Sequence, residues 1–169
     1  MRYTLLILSA VVLVAAACTP PKPAAPATSV VRYSADAEFD TVRDDLQNTI
    51  LAKGLVIDNT AFVAKMLERT GQDVGSTKPV FDQSRGQAFS FCSAVISRKT
   101  VEADAHNLVF CPYALVVYST AAEPKKVYVA YRRPVLNEGS EAAKAALKEV
   151  ETLLDGIARD ALRLKETAK

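Results

Sequence analysis

The chain lacks most of the residues on which catalytic sites and nucleic-acid interfaces depend. Its 169 residues include one histidine, three cysteines and no tryptophan. A single histidine excludes sites with several imidazole ligands and leaves little room for acid–base chemistry by imidazole. The formal net charge of only +2 excludes a protein that binds nucleic acid by strong electrostatic attraction. We therefore expect no nucleic-acid partner and favour a non-enzymatic role.

Motifs of catalysis and phosphate binding are missing as well. No Gly-x-Ser-x-Gly sequence occurs to form the nucleophile elbow of a hydrolase. The lone His106 lies in the polar link 105–107, which predicts a surface residue rather than a catalytic base. The segment 71–78 contains two glycines and a lysine, but not at the spacing of a phosphate-binding loop. We therefore assign no catalytic residue, no metal ligand and no cofactor.

The N-terminus has the layout of a secretory signal peptide. Arg2 supplies a positive charge before the apolar run 5–14, and the small residues 15–17 follow that run. The run is shorter than the roughly 20 apolar residues that a transmembrane helix needs. The sequence therefore predicts an exported protein from which residues 1–17 are removed.

Cys18 directly follows the small residues and makes this signal more specific. The segment 13–18, Leu-Val-Ala-Ala-Ala-Cys, resembles the lipobox of bacterial lipoproteins, with alanine where that motif prefers leucine. The resemblance implies that Cys18 is acylated, becomes the new N-terminus and holds the protein on a lipid bilayer. The residue after Cys18 is Thr19 rather than aspartate, and in the lipoprotein family this implies that the protein is sorted to the outer membrane and faces the periplasm. The alternative is an ordinary signal peptide with an incidental cysteine.

A spacer follows Cys18. Four of the ten residues in 19–28 are proline, which favours an extended chain that buries nothing. We therefore divide the sequence into four parts: a signal peptide at 1–17, a lipidated cysteine and Pro/Ala-rich tether at 18–29, an α/β domain at 30–136 and a C-terminal helix at 137–169.

Hydrophobic periodicity predicts a single compact α/β (α+β) domain with a mixed β-sheet and flanking helices. Strands are expected at 29–34, 55–57, 88–92, 108–120 and 126–132, and helices at 37–53, 62–67, 93–104 and 140–165. Gly54 ends the first helix, residues 58–60 supply the cap of the second, and Ser93 and Ser140 cap the last two. Continuous apolar sequence after Pro112 predicts a central strand.

The C-terminal helix has an apolar seam. Seven residues repeat at alternating spacings of four and three, which is a heptad pattern: Ala143, Leu147, Val150, Leu154, Ile157, Ala161 and Leu164. Such a seam either lies across the sheet or forms a dimerising coiled coil, and three heptads are marginal for a coiled coil.

Three patterns between Phe39 and Pro134 match a known family. An amphipathic helix runs into Lys-Gly-Leu-Val-Ile at 53–57, and Ala-Phe-Ser-Phe-Cys at 88–92 precedes a short helix. Phe-Cys-Pro-Tyr-Ala-Leu-Val-Val-Tyr at 110–118 is followed by Val-Tyr-Val-Ala-Tyr-Arg-Arg-Pro at 127–134. These patterns resemble the family catalogued as domain of unknown function 302. The resemblance implies a compact α/β domain, often a homodimer, with no established activity.

Cys92 and Cys111 are the cysteines that remain once Cys18 carries lipid. Exported chains meet an oxidising compartment, and both residues lie at ends of apolar strand segments, so we predict a disulfide between them. Closing the loop of eighteen intervening residues would stabilise the fold by ~3 kcal/mol in the chain-entropy model. The bridge requires antiparallel or offset strands. Buried free thiols and a reactive or metal-binding pair are the alternatives.

Aromatic and basic residues gather on the predicted hairpin. If the domain has a ligand pocket, we expect it near Tyr113 and the end of the strand at Cys92. The pairs Lys125–Lys126 and Arg132–Arg133 form a small basic cluster around the return strand. Such charges either protect a sheet edge from pairing or contact anionic lipid or polymer near the membrane.

Three functions are compatible with these features. The first is a membrane-anchored envelope lipoprotein that binds a ligand or partner without catalysis. The second is a thiol redox or metal-handling lipoprotein that uses Cys92 and Cys111. The third is a structural or assembly protein that dimerises through its C-terminal helix. We favour the first because the chain has an anchor and a spacer but no catalytic motif.

Overall fold

The computed structural model describes residues 29–164, which form one α/β domain of the predicted class. The strands are β1 (Val30–Asp36), β2 (Val56–Ala61), β3 (Phe81–Cys92), β4 (Tyr113–Thr120) and β5 (Glu123–Arg132). The α-helices are α1 (Phe39–Ala52), α2 (Val63–Thr70), α3 (Ala94–Ala103) and α4 (Glu141–Ala161), and a 3₁₀ helix (Ala105–Phe110) precedes β4. The predicted signal peptide at 1–17, residues 18–28 of the predicted tether and the last five residues lie outside the described part.

The five strands form one sheet in the order β1-β5-β4-β3-β2, and β4 is central as expected. Every neighbouring pair is antiparallel, so the sheet is not mixed. Parallel neighbours require strands that are joined by a crossover and lie side by side. Here α1 joins β1 to β2, but these two strands occupy opposite edges of the sheet. The neighbours β2 and β3 are joined through α2, and β3 and β4 through α3 and the 3₁₀ helix, but each connection returns the chain in the opposite direction, so these pairs are antiparallel as well.

The core lies on one face of the sheet, beneath α1 and α4. The register Phe89↔Leu115 and Val117↔Val129 places these four apolar side chains on that face, and all are at most 2% exposed. Helix α1 buries the residues that its periodicity predicts, Phe39, Val42, Leu46 and Ile50. Gly54 follows α1 with a positive φ of 73°, which few residues other than glycine adopt readily.

Helix α4 packs its heptad seam onto this chain's own core. Ser140 caps the helix as predicted, since its Oγ accepts a hydrogen bond from the Ala143 amide at 3.1 Å. Six of the seven seam residues are buried: Ala143, Leu147, Val150, Leu154, Ile157 and Ala161. The helix ends at Ala161, before Leu164. Because the seam is occupied within the domain, it is not available for the dimerising coiled coil.

Helix α2 covers part of the opposite face of the sheet and lies near its predicted position, whereas its neighbour β3 begins at Phe81, seven residues before the strand predicted at 88–92. Residues 58–60, expected to cap it, belong to β2, and Phe62 lies at the N-cap. Ala64 is the buried residue of α2, packed so closely on Gly86 that a Cβ there would lie 2.9 Å from the Ala64 Cβ. Its larger apolar side chains, Phe62, Val63, Met66 and Leu67, are 36–49% exposed. The helix therefore turns apolar surface outward.

The packing of α4 predicts a large stability loss when its seam is truncated. Leu147 is 1% exposed, and we expect Leu147→Ala to lower the free energy of unfolding by about 2–5 kcal/mol. Leu51→Ala, at a position of α1 that is 48% exposed, is the control and should cost less than about 1 kcal/mol. Urea denaturation measures both. Equal losses, or a change of oligomeric state on sedimentation for Leu147→Ala alone, would contradict the packing.

Candidate functional site

The antiparallel pairing brings several of the predicted site residues to one end of the sheet. Val30 at the start of β1 pairs with Arg132 at the end of β5. Tyr113 at the start of β4 pairs with Phe91, next to Cys92 at the end of β3. We call this region, where the chain enters the sheet from residues 18–29, the Val30 end.

A cleft of about 380 Å³ opens at the Val30 end. Its lining includes Val30, Val109, Phe110, Tyr113 and Arg132. The walls are thus mainly apolar, and a guanidinium group lies at one side. The sequence predicts a pocket near Tyr113 and the end of the strand at Cys92; Tyr113 lines this cleft, and Cys92 does not.

Hydroxyl and thiol groups form a chain beside the cleft. The Ser97 hydroxyl donates to the Tyr113 hydroxyl at 3.1 Å, and the Cys111 thiol donates to Ser97 Oγ at 3.6 Å. Cys92, which follows Phe91 at the end of β3, lies near the Cys111 thiol because Phe91 pairs with Tyr113. Ser97 stands on α3, which begins where the sequence predicts because Ser93 Oγ accepts a hydrogen bond from the Ile96 amide.

The environment of this site favours the protonated forms of Cys92 and Tyr113. Although Cys92 is exposed as a residue, partial shielding of its thiol from water, and next the neighbouring Cys111 thiol, raise the pKa of Cys92. Burial also raises the pKa of the Tyr113 hydroxyl, and the hydrogen bond from Ser97 opposes this. A thiol with a raised pKa is a poor nucleophile at neutral pH because the thiolate is the reactive form. The arrangement therefore does not activate Cys92 for rapid attack.

Both cysteines are free thiols, and the described residues contain no disulfide, so the predicted bridge is absent from this structure. Cys92 is exposed, and Cys111 is half-buried. The antiparallel pairing of β3 with β4 nevertheless supplies the strand arrangement that a bridge requires, because it places the end of one strand beside the start of the other. Whether the pair oxidises stays a prediction.

A second polar cluster joins β1 and β5 to α4. Asp155 accepts hydrogen bonds from Tyr33 and from Tyr131, the latter at 3.2 Å. Arg159 donates to the other carboxylate oxygen of Asp155 at 2.7 Å and to the Tyr33 hydroxyl at 2.8 Å. Its guanidinium also lies 4.4 Å from the centre of the Tyr33 ring. The cluster fixes α4 against the edge of the sheet.

The charges of this cluster stabilise one another. Burial would raise the pKa of Asp155, but the hydrogen bonds from Tyr33 and Arg159 outweigh it and hold that pKa below its usual value. Burial, and then the Asp155 carboxylate, raise the pKa of Tyr131 well above its usual range. The stable form at neutral pH is therefore an ionised Asp155 with two neutral tyrosines, which suits a structural link better than proton transfer.

A family model described as Domain of unknown function DUF302 matches residues 31–161. The chain belongs to this family. The match extends beyond Phe39–Pro134 and includes α4, so the C-terminal helix is part of the DUF302 domain rather than an addition to it.

A solved DUF302 structure has the same fold. The chain is similar to a crystal structure of an uncharacterized conserved protein DUF302 from Bacillus stearothermophilus, with a TM-score of 0.63 and 16% sequence identity. The similarity covers 80% of this chain and 99% of that one. No curated protein matches the chain. The comparisons thus show the family and the fold.

The remaining sequence-predicted residues lie apart from the cleft or outside the described part. His106 is exposed, and its amide is bonded to the Asp104 carboxylate. Within 29–164, no cluster of three or more histidine, cysteine or acidic residues could hold a metal ion. No helix in that part is long and apolar enough to cross a membrane. Cys18 lies outside it.

A second, larger cleft of about 450 Å³, which the sequence does not predict, lies between α2 and the first part of β3. Its lining includes Gly71, Phe81, Gln83 and Ser84. Gln83 and Ser84 have φ values of 43° and 56°, an unusual conformation for residues other than glycine. They lie where the β3–β4 register shifts between Phe81 and Gly86. A bulge of this kind re-aims side chains beside the cleft.

The polar cluster of the DUF302 domain predicts a pH-dependent stability effect for Asp155→Asn. The folded-state pKa of Asp155 lies below its unfolded value of about 3.9. The stabilisation is therefore complete above that pH and is lost as the pH falls through the folded pKa. We expect the variant to be less stable by about 1–3 kcal/mol at neutral pH and the difference to shrink in acid.

Urea denaturation near neutral pH and again in acid measures this effect. Asp160→Asn is the control on the same helix, because Asp160 forms an exposed ion pair with Lys53 and should contribute less than about 1 kcal/mol. A destabilisation by Asp155→Asn that is the same at both pH values would show that the ionised carboxylate is not what stabilises α4.

Proposed function

We propose that this protein is a lipid-anchored lipoprotein of the bacterial envelope whose DUF302 domain binds a ligand without catalysing a reaction. The lipid anchor is proposed because Cys18 directly follows a segment that resembles a signal peptide and precedes a proline-rich spacer. Acylation of Cys18 would hold the domain at a bilayer, and the Thr19 position favours the outer membrane, facing the periplasm.

The cleft at the Val30 end supports the binding half of the proposal. Its apolar wall, including Val109 and Phe110, suits a hydrocarbon or aromatic group, and Arg132 suits an acidic group. The ligand class that this chemistry favours is an anionic amphiphile. The raised pKa values of Cys92 and Tyr113 fit a binding site better than a nucleophilic one.

Mass spectrometry of the N-terminal peptide from native membranes tests the anchor. We expect a peptide that begins at Cys18 and carries the mass of the acyl chains. Cys18→Ser should leave the protein uncleaved or release it from the membrane fraction, because the variant lacks the acyl chains that anchor the protein. Cys92→Ser is the matched control and should remain in the membrane fraction. An unacylated N-terminus at any position would refute the anchor.

A second candidate function is favoured by the position of Cys92 near Cys111, which the pairing of β3 with β4 produces. Two thiols can reduce the disulfide of a small molecule or protein. One thiolate attacks it and releases a first thiol, and the second thiolate then displaces the other, leaving a Cys92–Cys111 disulfide. Two electrons and two protons thus pass to the two released thiols. The raised pKa of Cys92 favours slow oxidation to a structural bridge over rapid catalysis.

Alkylation of protein from its native envelope tests the thiol pair. We expect both cysteines to be labelled only after reduction. Cys92→Ala and Cys111→Ala should each destabilise the fold by ~3 kcal/mol, and the double variant should be no worse, because each change removes the whole link. Two thiols that react without reductant would contradict the bridge. Additive losses would show that the two side chains act separately.

A further inference from the structure

Exposed apolar side chains gather beside the cleft at the Val30 end. Val30 is 50% exposed, Leu108 65% and Val109 78%. Val30 and Val109 line the same cleft as Arg132, and Leu108 adjoins Val109 in the 3₁₀ helix. Single exposed apolar residues are common, but a group of them beside a cleft marks a surface that contacts something other than water.

The position of the lipid attachment favours a bilayer as the partner of this surface. Eleven residues, 19–29, separate Cys18 from Val30. Such a segment spans at most about 40 Å when fully extended. A domain of this size has a radius of gyration of about 14 Å and hence a width of about 36 Å, so even a fully extended tether is only about as long as the domain is wide. The Val30 end, from which the tether leaves, is therefore held nearest the membrane.

The charge of the same surface suits anionic lipid. Arg132 is exposed and forms no ion pair with another described residue, whereas its neighbour Arg133 is paired with Glu151 at 2.8 Å. Surfaces that lie in a membrane interface combine apolar side chains, which enter the headgroup region, with cations that attract anionic lipid. Leu108, Val109 and Arg132 supply both components.

We infer that the Val30 end of the domain lies against an anionic phospholipid bilayer, with Leu108 and Val109 in the headgroup region and Arg132 at the lipid phosphates. The inference rests on the proposed function, because acylation of Cys18 brings this end to the membrane. It also means that the cleft opens towards the lipid surface, which is the source of the amphiphile class that its lining suits.

The absence of tryptophan provides a direct test. Val109→Trp places one fluorophore at the Val30 end. Val80→Trp is the matched control, because Val80 is 58% exposed and its carbonyl bonds to the Ala121 amide near the β4–β5 turn, at the far end of the sheet. Both variants are made in the full, processed chain and reconstituted into phosphatidylcholine vesicles with and without phosphatidylglycerol.

We expect the Val109→Trp emission to shift to shorter wavelength and to be quenched by brominated lipid, more strongly when phosphatidylglycerol is present. The Val80→Trp emission should be unchanged. Adding Arg132→Gln to Val109→Trp should remove the phosphatidylglycerol dependence. Leu108→Trp, whose side chain is also exposed, provides a second reporter if Val109→Trp folds poorly, as judged by its melting curve.

The mass of the N-terminal peptide from the same preparation separates failure of this inference from failure of the anchor. If Cys18 is acylated but both reporters stay in water, or Val80→Trp is shielded instead, the inference is wrong and the anchor stands. If Cys18 carries no acyl chain, the proposed anchor and the inference that rests on it both fail.

Discussion

The antiparallel pairing of β4 with β3 and β5 is the constraint on which the rest of the domain depends. Its register, Phe89↔Leu115 and Val117↔Val129, collects large apolar side chains on one face. A slip of one residue would turn every one of them towards the other face, so burial of the core fixes the pairing. The same pairing brings the end of β3, the start of β4 and the end of β5 to the Val30 end.

The two faces of the sheet are covered by helices to different extents. Helices α1 and α4 seal the core face, and the Tyr33–Asp155–Arg159 contacts hold α4 in place at its edge. On the other face, α2 packs mainly through Ala64 and exposes its larger apolar side chains. The heptad seam of α4 is thus buried in the domain's own core, while large apolar side chains are exposed on α2 and at the Val30 end.

Features set by neighbouring residues could be predicted from the sequence. The periodicity of α1, the glycine at 54 and the caps at Ser93 and Ser140 each depend on a few adjacent positions. Features set by distant residues could not be predicted. Tyr33 and Asp155 are 122 positions apart, and no local sequence pattern indicates that they form a hydrogen bond. The bulge in β3 could not be predicted because the sequence between Phe81 and Gly86 is polar and typical of a loop. Cys92 and Cys111 lie near each other because β3 and β4 are antiparallel, and hydrophobic periodicity does not specify the direction of a strand.

Hydrogen–deuterium exchange on the acylated full chain would test most directly which end of the domain faces the membrane. The comparison is between vesicles that contain phosphatidylglycerol and vesicles of phosphatidylcholine alone. Contact at the Val30 end predicts slower amide exchange over 105–110 in the presence of phosphatidylglycerol and no change at the β4–β5 turn, 121–122. Slower exchange at that turn or along α2, or no difference between the two lipids, would contradict it.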